Sequence, residues 1–415
     1  MPHDEIRTRL AGIDRNSVVA IAQRLIAAAS PNPPGDTEAV ATVAADSLRA
    51  AVPGIELALH DVGQGIVNLV ARVHGSMPGR RIVLNGHLDT YPVNEALPWT
   101  VDPLGGEVHD GRLYGRGAAD MKGGIAASIA ALAALAEVRA HFRGEAVLTL
   151  AGDEESMGTK GTQWLLDHVP HARGDATIIG DAGSPLVLRF GEKGFLWVQL
   201  TASGKPSHGA HVHLGVNAVD RLRRALDALS GLPELPFDAP AAVVRAIAAA
   251  KPVSEPLCGA GEADVLGRVT VNVGRFEGGT SMNLVPTSAA AAVDIRLPAG
   301  MDAARMEAAI AAALAPMEGV RWDVLRRVEP SVTPPDAEIV QRTVAAAQHV
   351  LGRAPAVNMR VGGSDARLLR WAGIPTVVYG PTPFNMGGAD EYVLVEELVQ
   401  VARVHALASF DFLLG

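Results

Sequence analysis

An apolar, β-branched run, Arg81-Ile82-Val83-Leu84, leads directly into Asn85-Gly86-His87-Leu88-Asp89-Thr90, and this junction constrains the fold more than any other stretch. The run reads as a buried strand, so His87 falls just past a strand end. Further on, Gly115-Arg116-Gly117-Ala118-Ala119-Asp120-Met121-Lys122-Gly123-Gly124 reads as a glycine-rich turn that delivers Asp120 to the start of a long alanine-rich helix. An imidazole and a carboxylate, each at the mouth of a sheet, are what a divalent metal site needs. Neutral imidazole suits zinc, and carboxylate oxygen suits zinc or harder ions.

Around that junction the pattern alternates. Apolar positions at helical spacing run through residues 5–29 until Ser30-Pro31-Asn32-Pro33-Pro34 stops them. A helix is expected at 37–51, strands at 55–60, 67–73 and 81–85, and a long Pro/Gly-containing loop at 91–111. The helix after Asp120 should run to about 140, followed by strand 146–151, helix 159–168 and strand 176–180. Such alternation predicts an α/β domain with a mostly parallel sheet flanked by helices. From about residue 194 the order becomes strand, helix 215–229, an irregular Pro-rich region 231–264, strands 268–276 and 287–297, helix 302–314 and strand 321–327. That order fits a smaller α+β domain with one open sheet face and a free edge strand near 200–206. Helix 336–351 and strand 375–379 resume the first pattern. The expected organisation is therefore a catalytic domain, 1–193 with 330–415, carrying an inserted domain at 194–329. Two domains also suit 415 residues.

Composition closes off several classes. A net charge of −9 without a basic stripe argues against nucleic acid. No uncharged run is long enough to span a bilayer, and Met1-Pro2-His3-Asp4-Glu5 does not read as a signal peptide. A single cysteine, Cys258, precludes an intrachain disulfide and fits a reducing compartment, hence a cytoplasmic expectation.

Chemistry-bearing residues recur at the same kind of place. His87 follows strand 81–85, Glu154-Glu155 follows strand 146–151, and Asp181 follows strand 176–180. In an open parallel sheet these carboxyl ends face one crevice, which Asp120 would join. Taken singly, His87 is most often a satisfied polar residue, Asp120 a helix cap and the paired glutamates a solvated loop. One site for one or two divalent ions explains all the placements together. The tandem glutamates add a carboxylate free to take a proton from water.

The order Gly86-His87-Leu88-Asp89-Thr90, Gly115 to Gly124, Asp153-Glu154-Glu155 and Gly180-Asp181 resembles the metallopeptidase family of acetylornithine deacetylase, succinyl-diaminopimelate desuccinylase, aminoacylase and glutamate carboxypeptidase. The resemblance spans nearly the whole chain. It implies that His87, Asp120, Glu155 and Asp181 bind metal, with Asp120 bridging two ions. Asp89 would orient His87, and Glu154 would act as general base and acid. Gly204-Lys205-Pro206-Ser207-His208-Gly209 matches the family's lid motif, in which His208 would reach a partner subunit's site in a homodimer formed through the inserted domain. Asn272 and Arg296 fall where the family contacts substrate, and a guanidinium fork suits a substrate carboxylate. Gly363 and Ser364, before a helix, offer backbone N–H groups to an anion.

One position departs from that pattern. The family's last ligand, a histidine four residues before a glutamate, aligns with Gly387 in Gly387-Gly388-Ala389-Asp390-Glu391-Tyr392-Val393, and no histidine lies between His349 and His405. The expected cofactor is therefore a divalent ion (Zn, Mn or Co) bound tightly once, with a second ion weak or absent. The expected reaction is amide hydrolysis of a small carboxylate-bearing substrate, an N-acyl amino acid or short peptide. A deaminating aminohydrolase acting on a small aromatic or amidine-like substrate is the second reading. A catalytically degenerate binding protein is the third.

Overall fold

The computed structural model describes residues 3–94 and 96–415. The chain divides into two compact units. The first comprises residues 1–190, 333–358 and 364–415, and the second comprises 191–332 and 359–363.

The first unit is built on a mixed sheet in the order Glu56–Asp61, Val67–His74, Glu145–Ala151, Arg81–His87, Ala176–Ile179, Thr376–Val378 and Val187–Glu192. Its three central pairings are parallel, and the pairings on either side of them are antiparallel. The expected parallel character thus holds for the centre, where continuous apolar strands are buried on both faces. Register then fixes the site. His87 lies opposite Ala151, and Asn85 lies opposite Ile179, so the segments starting at Gly152 and Gly180 leave the sheet beside His87.

The helix Gly123–Glu137 crosses this centre at very close range. A Cβ on Gly124 would stand 1.8 Å from the carbonyl oxygen of Gly180, so only glycine allows the approach. By length and composition the stretch Ala118–Glu137 is apolar enough to cross a membrane, but most of it is buried inside the unit, as a core helix should be. Beside it, a small antiparallel sheet of Tyr392–Leu394, Arg112–Tyr114 and Val108–His109 ties the segment near Gly387 to the glycine-rich turn. The loop expected at 91–111 therefore contains ordered pairing towards its end.

The single helix expected over 5–29 is two, His3–Leu10 and Arg15–Ala27. Asp14 restarts the helix by accepting the backbone N–H of Ser17 at 2.9 Å, a cap that overrides the continuous apolar spacing.

In the second unit, a four-stranded antiparallel sheet runs Thr270–Gly278, Ser288–Leu297, Gly194–Ser203, Val320–Val328. Alternate residues of its inner strands, Leu196, Val198, Leu200, Val293 and Ile295, pack against the helices Ala218–Leu229 and Ala303–Leu314. Two expectations fail here. The strand Gly194–Ser203 is interior, paired on both sides, and the edges are Thr270–Gly278 and Val320–Val328. The later strands bracket the first, an order that its own residues do not specify. The region read as irregular holds the helix Ala241–Cys258, with Pro252 and Pro256 inside it. Val243, Ile247, Ala250 and Ser254 bury one helical stripe, and that burial outweighs the two missing donors.

Candidate metal centre

Three expected ligands meet in the first unit. One ligand atom from each of His87, Asp120 and Asp181 lies within 4.8 Å of the others, the spacing of groups that share an ion. His87 ends its strand rather than following it. Its Nε2 is 2.9 Å from Asp120 Oδ1, and its Nδ1 is 2.9 Å from the carbonyl of Asp89. A carbonyl can only accept, so Nδ1 carries the proton and Nε2 is left facing the carboxylates. Burial works against a charge on this imidazole, yet Asp120 and Asp89 hold its pKa well above the ordinary value. A surplus of negative charge waiting for a cation has that effect.

Asp89 has a second task that its place in the motif does not reveal. Its carboxylate accepts the backbone N–H groups of Glu154 (3.1 Å) and Glu155 (3.0 Å) and the side-chain amide of Asn32 (2.8 Å). It thereby holds the short 3₁₀ turn Glu154–Ser156 against the end of the His87 strand. Burial would raise the pKa of Asp89, but these donors and His87 bring it below the usual value, so the pocket favours the ionised form.

The two glutamates have the opposite balance. Burial, opposed by His87 and aided by the surrounding carboxylates, pushes Glu155 up to about 8. Glu154 is also driven well above the usual range, by burial first, with Asp365 adding to it and His87 and Arg367 opposing. Arg367 lies 3.5 Å from Glu154 and donates to the carbonyl of Met157 at 2.9 Å. Carboxylates crowded this closely cannot all ionise without a counter-ion. Glu155 Oε1 is moreover buried without a hydrogen-bond partner. An orphaned oxygen beside three mutually close donors is what a divalent ion would satisfy, and the His/Asp/Glu donor set suits a borderline or harder metal.

Several participants escaped the motif reading. Glu391 accepts from the backbone N–H of Ala119 (3.0 Å) and Asp120 (3.4 Å), and forms a buried pair with Arg116. Arg116 in turn donates to the carbonyls of Gly387 and Gly388, both at 3.1 Å. Tyr91 lies near the site carboxylates. Its pKa is pushed up to about 12, by Glu155 first, then burial, Asp120 and Glu154. Ser364 is buried, its Oγ accepting from Ala366 N at 3.2 Å, in front of a helix of only six residues.

The other expected residues lie in the second unit. His208 is exposed, and its Nδ1 accepts from Ala210 N at 3.1 Å. Asn272 is exposed on the edge strand. Arg296 is held by Asp294 at 2.9 Å and lies over the ring of Phe195. Gly363 is also counted there.

Residues 83–410 match the family described as peptidase family M20/M25/M40. The chain belongs to that family. It is 33% identical over 346 residues to a succinyl-diaminopimelate desuccinylase of Rhodospirillum centenum, covering 81% of this chain and 82% of the relative. A desuccinylase of Methylorubrum extorquens is likewise 33% identical over 356 residues, covering 82% and 84%. Among solved structures, an M20 metallo-carboxypeptidase from Sulfolobus solfataricus matches with a TM-score of 0.75 at 18% identity, covering 95% of this chain and 98% of the other. A dinuclear metal-binding M20 peptidase from Bacillus subtilis matches with a TM-score of 0.63 at 16% identity, covering 99% of each. At those identities the structural likeness speaks for the fold. Family and relatives together make the chain a metal-dependent hydrolase of amide C–N bonds.

Proposed function

We propose that the chain hydrolyses an N-acyl amino acid or short peptide that bears a carboxylate, using the centre at His87, Asp120 and Asp181. The observation that carries this reading is the carboxylate pair on one turn. The cluster itself is His87, Asp120 and Asp181, and Asp89 holds Glu154 and Glu155 on the adjoining turn, where neither is needed to complete that set of three. A cation bound there supplies Lewis acidity, polarising a carbonyl and acidifying water. Glu154 takes a proton from the attacking water and returns it to the leaving amine. Burial raises its pKa, which favours the return step. Asp89 keeps the turn in register, and His87 is fixed in one tautomer by the Asp89 carbonyl.

The first ion position has three protein donors and is the tight one. The second has Asp120, shared, and Glu155, while Gly387 offers no side chain. His208, Asn272 and Arg296 fill the roles of carbonyl polarisation and substrate contact in this reading, with Gly363 and Ser364 as an anion-facing loop. Homodimerisation through the second unit is supported by the edge strand Thr270–Gly278, which leaves Val273 and Phe276 exposed. The lone cysteine supports a cytoplasmic setting.

The test is turnover of N-succinyl and N-acetyl amino acids and dipeptides by protein loaded with Zn²⁺, Mn²⁺ or Co²⁺. Release of a free amine with the acyl acid is expected. Ammonia release without acyl cleavage would instead make the chain an aminohydrolase. Silence with every metal would make it a binding protein.

A further inference from the structure

Asp89 fixes the backbone of Glu154, but a glutamate side chain turns about several further bonds. A proton carrier must also be held within hydrogen-bond reach of its water. One side chain comes to this carboxylate from 213 positions away. Arg367 stands on the first turn of the helix Ala366–Trp371, and its Nη1 lies 3.5 Å from Glu154 Oε1.

The same guanidinium grips the turn itself. Its Nη2 donates to the carbonyl of Met157 at 2.9 Å, and its Nη1 donates to the carbonyl of Ser364. Met157 closes the turn, its N–H donating to the Glu154 carbonyl at 2.7 Å. Arg367 therefore holds the turn at its C-terminal end, opposite the N–H groups that Asp89 holds. The start of the helix is seated there independently. Asp365 accepts from Thr162 Oγ1 at 2.6 Å, and a Cβ on Gly158 would stand 2.5 Å from Asp365 Oδ1, so the turn and the helix start leave no room between them.

These contacts suit Arg367 to orient Glu154 rather than to replace it. Its side chain is only 4% exposed, so water does not compete for its N–H groups. A guanidinium keeps its charge at any working pH, so it brings no proton to the reaction. The two carbonyls fix the plane of the fork, while 3.5 Å to Glu154 is longer than a tight charge-assisted hydrogen bond. The carboxylate is steered without being captured, and it keeps lone pairs for a water.

We propose that Arg367 is the positioning residue of the Glu154 carboxylate, setting the side chain as Asp89 sets the backbone. The proposal rests on Glu154 as the proton carrier of the reaction above. It also ties that carrier to the Ser364 loop, since one guanidinium holds both.

The test is a double-mutant cycle on kcat in the full chain, at saturating metal and saturating amide substrate. Arg367→Met keeps most of the length of the side chain and removes its charge and donors. Arg367→Lys keeps a charge, but at a single point that cannot serve Ser364, Met157 and Glu154 together. Either change should lower kcat about 10- to 100-fold, the range for losing an outer partner of a site group, with metal content unchanged. Added to Glu154→Gln, each should lower kcat by less than about 2-fold more, because residues that act as a unit are not additive. A merely structural role would give the same loss on both backgrounds, and that result would overturn the proposal. So would wild-type kcat in either variant. If Arg367→Met does not fold, the cycle with Arg367→Lys decides alone. A Glu154→Gln protein as active as wild type would instead overturn Glu154 as the proton carrier, which separates the two failures.

Discussion

Replacing Asp89 by Asn tests whether this buried carboxylate is the clamp that sets the Glu154–Glu155 turn. Asp89 is fully buried, and its two oxygens serve three donors besides the imidazole. Asparagine has the same shape but only one acceptor oxygen. Its best orientation keeps that oxygen towards Glu155 N–H and Asn32, which share Oδ2, and turns its NH₂ towards Glu154 N–H. One buried backbone donor is then unsatisfied, at a cost of about 1–3 kcal/mol, and the surviving bonds lose their charge assistance, worth about 1 kcal/mol more. Relief from burying a charge does not cancel this, because the pKa of Asp89 is lowered in spite of burial. The expected loss is about 2–4 kcal/mol, concentrated at the turn that carries Glu154. Amide hydrogen exchange at Glu154 and Glu155, with urea unfolding of the metal-free protein, measures it. The Glu154 amide should exchange faster, and turnover should fall with metal saturated. Unchanged exchange at Glu154, together with wild-type turnover, would refute the clamp.

Three further outcomes follow from the same geometry. Glu154→Gln should keep the fold and the metal content while lowering kcat by about 10²–10⁴-fold, measured at saturating metal; near-normal turnover would remove Glu154 from proton transfer. His405 is buried, with its ring nitrogens against the Tyr379 carbonyl (2.7 Å) and Ser128 Oγ (3.2 Å), and burial lowers its pKa to about 4. The unfolded chain therefore binds a proton that the folded chain refuses between about 6.5 and 4, so stability falls by about 3 kcal/mol as pH drops through that window; a His405→Gln variant with the same acid dependence would refute this. If His208 acts in a partner's site, inactive Glu154→Gln mixed with inactive His208→Ala should recover part of the activity as subunits exchange, and proven exchange without recovery would exclude a trans role.

The central strands were legible because their burial on both faces leaves continuous apolar runs, and the His87, Glu155 and Asp181 positions followed from where those runs stop. Asp120 was legible because a glycine-rich turn leads into an alanine-rich run, and the structure starts that helix at Gly123, just after it. What stayed hidden depends on partners far away in sequence. Nothing around residue 200 says that strands near 290 and 324 will bracket it. The prolines at 252 and 256 read as breakers, since the apolar stripe they interrupt has a value only once it is buried. Arg116 and Glu391 are 275 positions apart, and neither looks unusual beside its own neighbours.

That last pair bears on how the centre is held together around a glycine at 387. Glu391 fixes the backbone that presents Asp120, and Arg116 joins Glu391 to the carbonyls of Gly387 and Gly388. Only backbone atoms of residue 387 take part, so its side chain can vanish while the segment stays tied to Asp120. The Arg116–Glu391 pair, by contrast, holds the backbone that presents Asp120. Loss of Glu391 would release the N–H groups of Ala119 and Asp120 and leave Arg116 a buried charge without its partner, which is costly by about 3–5 kcal/mol. The order in which such a site tolerates change is set by how many donors each residue satisfies, and on that measure the side chain at 387 matters less than Glu391.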